Sequence, residues 1–277
     1  MTLCIIGGDE RMGLLPRFLA EKCLAAQPRV TSRDELYGYF EDLILRSDAV
    51  ILPIPLTRDG KALFAPHFSA TVELGRLLDI CAAANKPVFT GSAPEWVMQK
   101  YDNVTDYGKS ERFLRKNARL TAEGTLSQMI AKSDGTLYGS NILIVGGGRI
   151  ARELYRLLKP FTDDITVAAR RAEVRGSFES GGAKAIDTSD LSLCGYGYVI
   201  NTVPKMLIDE KALYTSASDA MLFDLATSPC GIDFEAAKRL GLNAYLLSGV
   251  PGKCSPSAAA KVIADEIEAI IKGNDLL

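Results

Sequence analysis

Two patterns of apolar and polar positions alternate along this chain. One is a short unbroken apolar run, the mark of a strand covered on both faces; the other spaces apolar residues three or four apart, as a one-sided helix does. The runs at 3–6, 49–54, 86–90, 142–145, 165–169, 185–186, 198–203, 221–225 and 243–247 predict strands. Helical spacing covers 12–26 (Leu14, Leu15, Phe18, Leu19, Cys23, Leu24), 69–84 (Val72, Leu74, Leu77, Leu78, Cys81) and 119–131 (Leu120, Leu126, Met129, Ile130). It recurs after residue 148 (Ile150, Ala151, Leu154, Leu157, Leu158), across 236–240 and over 257–271. Strand and helix in alternation predict an α/β protein with mainly parallel sheets and covered faces.

The centre of this pattern is 141–158, where strand, glycines and helix follow in order. Gly146-x-Gly148-x-x-Ala151 has the spacing of a dinucleotide-binding turn. Gly146 permits the tight turn, Gly148 lets backbone approach a pyrophosphate, and Ala151 lets the helix sit close on the sheet. Arg149 and Ile150 open that helix, whose N-terminal N–H groups and dipole favour phosphate. An NAD-preferring fold places an acid at the end of the next strand, to hold the ribose hydroxyls. Here the strand ends in Arg170-Arg171, which suits a 2′-phosphate and so NADP(H). The alternative is a solvated surface pair, and the nearby Glu173 counts slightly for it.

Run 198–203 ends in Asn201-Thr202-Val203-Pro204, expected to face the cofactor; a proline-closed turn is the other reading. Run 221–225 continues through Ala226-Thr227-Ser228-Pro229 toward the same edge. Residues 249–256 read as a glycine/proline loop before the final helix, where Ser255 and Ser257 suit an anionic group; an ordinary capped loop is the other reading. In the first half, Gly7-Gly8-Asp9 follows the first strand but lacks the fingerprint spacing. Asp9 and Glu10 would repel phosphate, which favours a turn without nucleotide. Run 49–54 carries Thr57, Arg58 and Asp59 into a loop at the sheet's binding edge, and Gly91-Ser92 does the same after 86–90.

Residues 101–116 turn polar and charged, and helix 119–131 then joins the two halves. Asn117, Arg119, Thr121 and Glu123 therefore either face a substrate or form a solvated helix start with Thr121 as N-cap. The expected organisation is a smaller Rossmann-like or flavodoxin-like parallel-sheet domain (1–118) and a Rossmann dinucleotide domain (119–255, with linking helix 119–132). A C-terminal helix, 256–277, is expected at the domain interface.

Composition narrows the field. The chain has 277 residues, 47% hydrophobic and 24% charged, with net charge −2, so no nucleic-acid surface is expected. No apolar run reaches membrane-spanning length, and the start lacks the basic and apolar regions of a signal peptide. The six cysteines are scattered without a C-x-x-C pair, which fits reduced core thiols. His67 is the only histidine, which argues against a metal centre and a Ser-His-Asp triad.

An ordered set of segments gives the most specific signal. They are Ile6-Gly7-Gly8-Asp9-x-Arg11, Thr121-Ala122-Glu123-Gly124, Gly146-x-Gly148-Arg149, Asn201-Thr202-Val203-Pro204, Asp224-Leu225-Ala226, Asp233-Phe234 and Gly249-Val250-Pro251-Gly252. Together they resemble the A-subunit family of dipicolinate synthase, which is itself similar to two-domain shikimate- and alanine-dehydrogenase types. Pro229-Cys230-Gly231 departs from the Pro-Gly-Gly expected there. The resemblance implies oxidation of a dihydrodipicolinate-type precursor from the lysine pathway, with NADP+ as hydride acceptor. It also implies a partner, the dipicolinate synthase B subunit, together with the mother-cell cytoplasm during sporulation; a homo-oligomer is expected.

A product with two carboxylates calls for cationic or N–H donors, which Arg58, Arg119, Lys205 and the 249–257 loop offer. Ser92, Thr121 and Ser255 complete the substrate-side set. Glu123, His67 and Lys205 are candidate proton acceptors, among which the sequence does not choose. Two other readings stay open: an NADP(H)-binding non-catalytic subunit or sensor, and a shikimate-type or hydroxy-acid dehydrogenase. The latter needs a Lys-Asp or His-acid pair, and none stands at a persuasive spacing.

Overall fold

A computed structural model of the chain describes residues 1–28, 32–226 and 229–273. The chain forms two compact units: Met1–Asn117 with the segment from Ser255 onward, and Ala118–Cys254. The first contains β1 (Thr2–Ile5), α1 (Glu10–Leu14), β2 (Lys22–Ala25), α2 (Arg33–Leu45), β3 (Ala49–Ile51), α3 (Leu74–Ala83), β4 (Val88–Thr90), α4 (Glu95–Lys100) and β5 (Val104–Asp106). Its strands pair in parallel in the order β2-β1-β3-β4-β5, which is flavodoxin-like.

Alternation along β1 shows how both faces are buried. Leu3 and Ile5 enter a core with Phe89, Ala260, Ile263 and Ile267, whereas Cys4 and Ile6 enter one with Leu36, Phe40 and Leu77. The C-terminal helix, Pro256–Gly273, thus covers a face of the first sheet. Helix α5 (Glu111–Lys132) starts beside it, with Phe113 in the same core. Arg112 Nε donates to Glu266 Oε2 at 2.7 Å, and its Nη2 donates to the Asp265 carbonyl at 2.8 Å. The Glu266 side chain is 8% exposed and that of Arg112 47%. Arg112→Ala strands a buried carboxylate and is expected to cost about 2 kcal/mol, less than a fully buried pair because the guanidinium is half in water. Urea unfolding measures this, and an unchanged midpoint would show that the pair does not help dock the helix.

Several boundaries differ from the sequence pattern. The helix expected over 12–26 is a five-residue helix, α1, then a 3-10 turn at Leu15–Arg17, then β2 beside β1. Pro16 explains the break, because it has no N–H for a helix interior and its ring crowds the preceding turn. The helix expected over 69–84 begins only at Leu74. The polar stretch 101–116 holds β5 and the opening of α5. Ser110 Oγ accepts from the Phe113 N–H at 3.4 Å at that opening, while Thr121 lies buried within the helix. Thr121 therefore is not an N-cap.

The second unit adds β6 (Ile142–Val145), α6 (Arg149–Leu158), β7 (Ile165–Ala168), α7 (Ala172–Glu179), β8 (Lys184–Ile186), β9 (Tyr198–Asn201), α8 (Glu210–Leu213), β10 (Met221–Asp224), α9 (Phe234–Arg239), β11 (Asn243–Leu246) and α10 (Val250–Cys254). Helix α10 occupies most of the stretch expected to be a loop. The strands pair in parallel in the order β11-β10-β9-β6-β7-β8. That is the doubly wound order of dinucleotide-binding sheets, with its switch point between β6 and β9. Ile142 and Ile144 face a core with Leu154 and Leu158, and Leu143 and Val145 face one with Ile208 and Leu222. The fold class is therefore the one predicted: two parallel-sheet α/β domains.

Candidate dinucleotide site

The glycine turn forms at the end of β6. Gly146 has φ +115°, and a Cβ there would strike Thr202 Oγ1 and come within 2.9 Å of Val203 Cγ2. Only glycine suits both conditions. Gly148 is the N-cap of α6, without a side-chain capping bond, and a Cβ there would meet nothing within 4 Å. Space above the helix start is thus open. Ala151 is fully buried, so α6 lies directly on the sheet.

The loop after β9 forms the next wall. Thr202 donates twice to the Val145 carbonyl, from N at 2.8 Å and from Oγ1 at 2.9 Å, which ties this loop to the glycine turn. Asn201 is fully buried. Its Nδ2 donates to the Val203 carbonyl at 3.0 Å and to Asp224 Oδ1 at 2.7 Å, while its Oδ1 accepts from Val203 N at 3.2 Å. Both amide protons are committed, so this side chain shapes the loop and has no donor left for a ligand. Asp224, also fully buried, accepts from Ala226 N at 3.0 Å, Gly231 N at 2.7 Å and Ile232 N at 3.1 Å. A Cβ on Gly231 would strike Asn201 Nδ2 and lie 2.7 Å from the Val203 carbonyl. The chain thus keeps glycine at 231, although Cys230 breaks the expected Pro-Gly-Gly. Thr227 and Ser228 lie outside the described residues.

Past β7, Arg170 and Arg171 are exposed and no acid takes the ribose-binding position. With Gly146, Gly148, Val203 and Lys205 they line a cleft of about 310 Å³ whose walls carry three cations and no carboxylate. Arg149, Ile150, Thr202 and Pro204 adjoin these lining residues in sequence. Two residues that the sequence reading did not single out, Arg175 and Asp187, stand next in sequence to the lining residues Val174 and Thr188. Arg175 donates to the carbonyls of Ala169 and Arg170 and pairs with Asp187. Their only sequence signal is position: four residues past the arginine pair, and just after a short strand.

Other candidates stand elsewhere. In the first unit, Arg11 pairs with Asp9 through Nε to Oδ1 and Nη2 to Oδ2, both 2.8 Å, and reaches the Ile54 carbonyl at 2.6 Å. Burial alone would raise the Asp9 carboxyl, but the hydrogen bonds and charge of Arg11 hold it below its ordinary value. A lowered carboxylate stabilises the fold above its unfolded pKa and loses that contribution as pH falls through the folded value. The stability advantage over Asp9→Asn should therefore be complete at pH 6 and shrink below about pH 4. Paired urea titrations measure it, and a constant difference would remove the carboxylate from that role.

His67 is exposed and borders a cleft of about 300 Å³ with Gly7, Gly8 and Asp9. Arg58 stacks 4.3 Å over the Phe64 ring beside another cleft. Ser92 is exposed at φ +57°, and its N–H donates to Asp106 Oδ1 at 3.0 Å. In the second unit, Arg119 and Glu123 pair with each other at 3.2 Å on an exposed face of α5. The Thr121 carbonyl accepts from Thr125 Oγ1 at 2.7 Å. Ser255 precedes the C-terminal helix, its carbonyl accepting from Ala259 N at 2.9 Å. Of the cofactor candidates, Gly146, Gly148, Arg170, Arg171 and Val203 line one cleft, together with Lys205, while the other substrate and proton-transfer candidates are divided between the two units.

A doubly wound sheet with this turn at its switch point defines a Rossmann-type α/β protein of two units. No protein-family model matches the chain. It is 27% identical to the A subunit of dipicolinate synthase from Bacillus subtilis (strain 168), over 98% of this chain and 96% of that protein. The crystal structure of the B. subtilis dipicolinate synthase A chain matches with TM-score 0.81 at 21% identity, over 100% of this chain and 97% of that one. Apo D-lactate dehydrogenase from Escherichia coli matches with TM-score 0.63 at 12% identity, over 99% and 97%. The resemblance read from the ordered segments therefore holds along nearly the whole chain, and the fold is shared with both structures.

Proposed function

We propose that this chain is an NADP-dependent oxidoreductase of the dipicolinate synthase A-subunit type, oxidising a dihydrodipicolinate-type precursor. The carrying observation is the cleft at the β6–β9 switch point, where Arg170, Arg171 and Lys205 stand over the glycine turn with no acid among its walls. The residues fit the coenzyme: open space lies above Gly148, and α6 has no side-chain cap there. Arg170 and Arg171 hold a 2′-phosphate, while Gly146–Gly148 with the first turn of α6 at Arg149 and Ile150 hold the pyrophosphate. Thr202, Val203 and Pro204 border the ribose and nicotinamide side, kept in place by the buried amide of Asn201. Lys205 shares the cleft with the arginine pair, so it serves as a phosphate-side cation rather than a proton acceptor.

When bound, NADP+ supplies the hydride acceptor. The chain aligns the precursor, balances its carboxylates with cations such as Arg58 and Arg119, and takes up a proton at Glu123 or His67. Ser92, Thr121 and Ser255 complete the substrate side. In this reading the second unit binds the coenzyme. The dipicolinate synthase B subunit is the partner, homo-oligomers form, and the mother-cell cytoplasm is the compartment.

NADP+ reduction, with the pathway intermediate generated in situ and with or without a candidate B subunit, tests this. NADPH formation by the chain alone, with little from NAD+, is the expected result. Formation only with the B subunit makes the chain the coenzyme half of a shared site. If NADPH binds but no reduction occurs in either case, the oxidoreductase reading fails and a coenzyme-binding, non-catalytic role replaces it.

A further inference from the structure

We propose that Arg175 and Asp187 form a positioning pair that sets the coenzyme preference of the cleft. They do so by fixing the backbone from which Arg170 and Arg171 project; the inference rests on the NADP(H) reading above. One terminal nitrogen of Arg175 donates to the Ala169 carbonyl at 2.8 Å and the Arg170 carbonyl at 2.9 Å, and also meets Asp187 Oδ2 at 2.5 Å. The two side chains are only 24% and 31% exposed. Asp187 is itself held, its Oδ1 accepting from Ser189 N at 3.0 Å and Ser189 Oγ at 3.1 Å. The clamp therefore joins the end of β7, helix α7 and the end of β8, where the next residue, Thr188, lines the cleft.

Charge separates the three arginines. Asp187 balances Arg175, so Arg175 adds no net cation to the cleft. Among the described residues, no ion pair or hydrogen bond engages the guanidinium of Arg170 or Arg171. Their charges stay available to a ligand, while the backbone beneath them is fixed by charge-assisted hydrogen bonds. Preorganisation of this kind favours only a ligand that uses both arginines, which is a 2′-phosphate. A coenzyme with a free 2′-hydroxyl gains little from it.

The test is fluorescence titration of NADPH and NADH into the full chain, for wild type, Arg175→Ala, Asp187→Asn and the Arg170→Ala/Arg171→Ala control. Arg175→Ala is expected to weaken NADPH about tenfold and NADH less than about threefold, with Asp187→Asn moving the ratio the same way. Should Arg175→Ala fail to fold, Asp187→Asn decides alone. If the control lowers the NADPH/NADH ratio but the clamp variants weaken both coenzymes equally, or neither, the clamp is merely structural and the inference is overturned. If the control itself leaves the ratio unchanged, the NADP(H) reading falls first.

Discussion

Asp224→Ala is expected to destabilise the chain by about 3–5 kcal/mol, as for a buried charged acceptor removed from its donors. The carboxylate has no exposure and accepts from three backbone N–H groups and from Asn201 Nδ2. Alanine would leave all four donors buried and unpaired. Asparagine keeps the shape but replaces one acceptor oxygen with donor protons facing other donors, so it should recover only part of the loss. Urea unfolding followed by circular dichroism reads the change, which should fall on the transition of the second unit. A loss below about 1 kcal/mol would mean that the donors find other partners. Asn201 and Asp224 should also couple in a double-mutant cycle, because each single change already breaks their shared bond.

This network marks where sequence reading stops. Asn201 ends an apolar run at a switch point, a place that points to ligand contact, yet its amide is consumed by Val203 and Asp224. Nothing in the local pattern shows that a carboxylate from the neighbouring strand takes the second amide proton. Arg175 was hidden for the same reason: its partners are carbonyls at a strand end, which carry no residue signature. By contrast, the glycine turn was legible because each demand there is local. Gly146 needs a left-handed backbone, Gly148 an open face and Ala151 a small side chain. The misread segment at 12–26 had apolar spacing compatible with a helix, but Pro16 could not continue one, and Cys23 and Leu24 belong to a strand against β1. Helix α10 was missed because glycine and proline dominate a stretch that still closes a single helical turn.

Arg170→Ala with Arg171→Ala is expected to weaken NADPH binding about 100-fold and NADH binding less than about threefold, since charge-assisted bonds to a dianionic group are lost only for NADPH. Each exposed arginine is screened by water, so the pair together is assigned no more than the strength of one well-placed buried contact. Screening gives a second reading from the same protein. Wild-type affinity for NADPH should fall more steeply with added salt than affinity for NADH, and the double variant should lose that difference. An acid at the first position, Arg170→Asp, should go further and favour NADH, because a carboxylate there accepts from ribose hydroxyls and repels a 2′-phosphate. Equal losses for both coenzymes would make the arginines a general phosphate-side charge, with the preference set elsewhere in the cleft. Unchanged NADPH affinity would return them to the solvated surface pair, the alternative reading of the sequence.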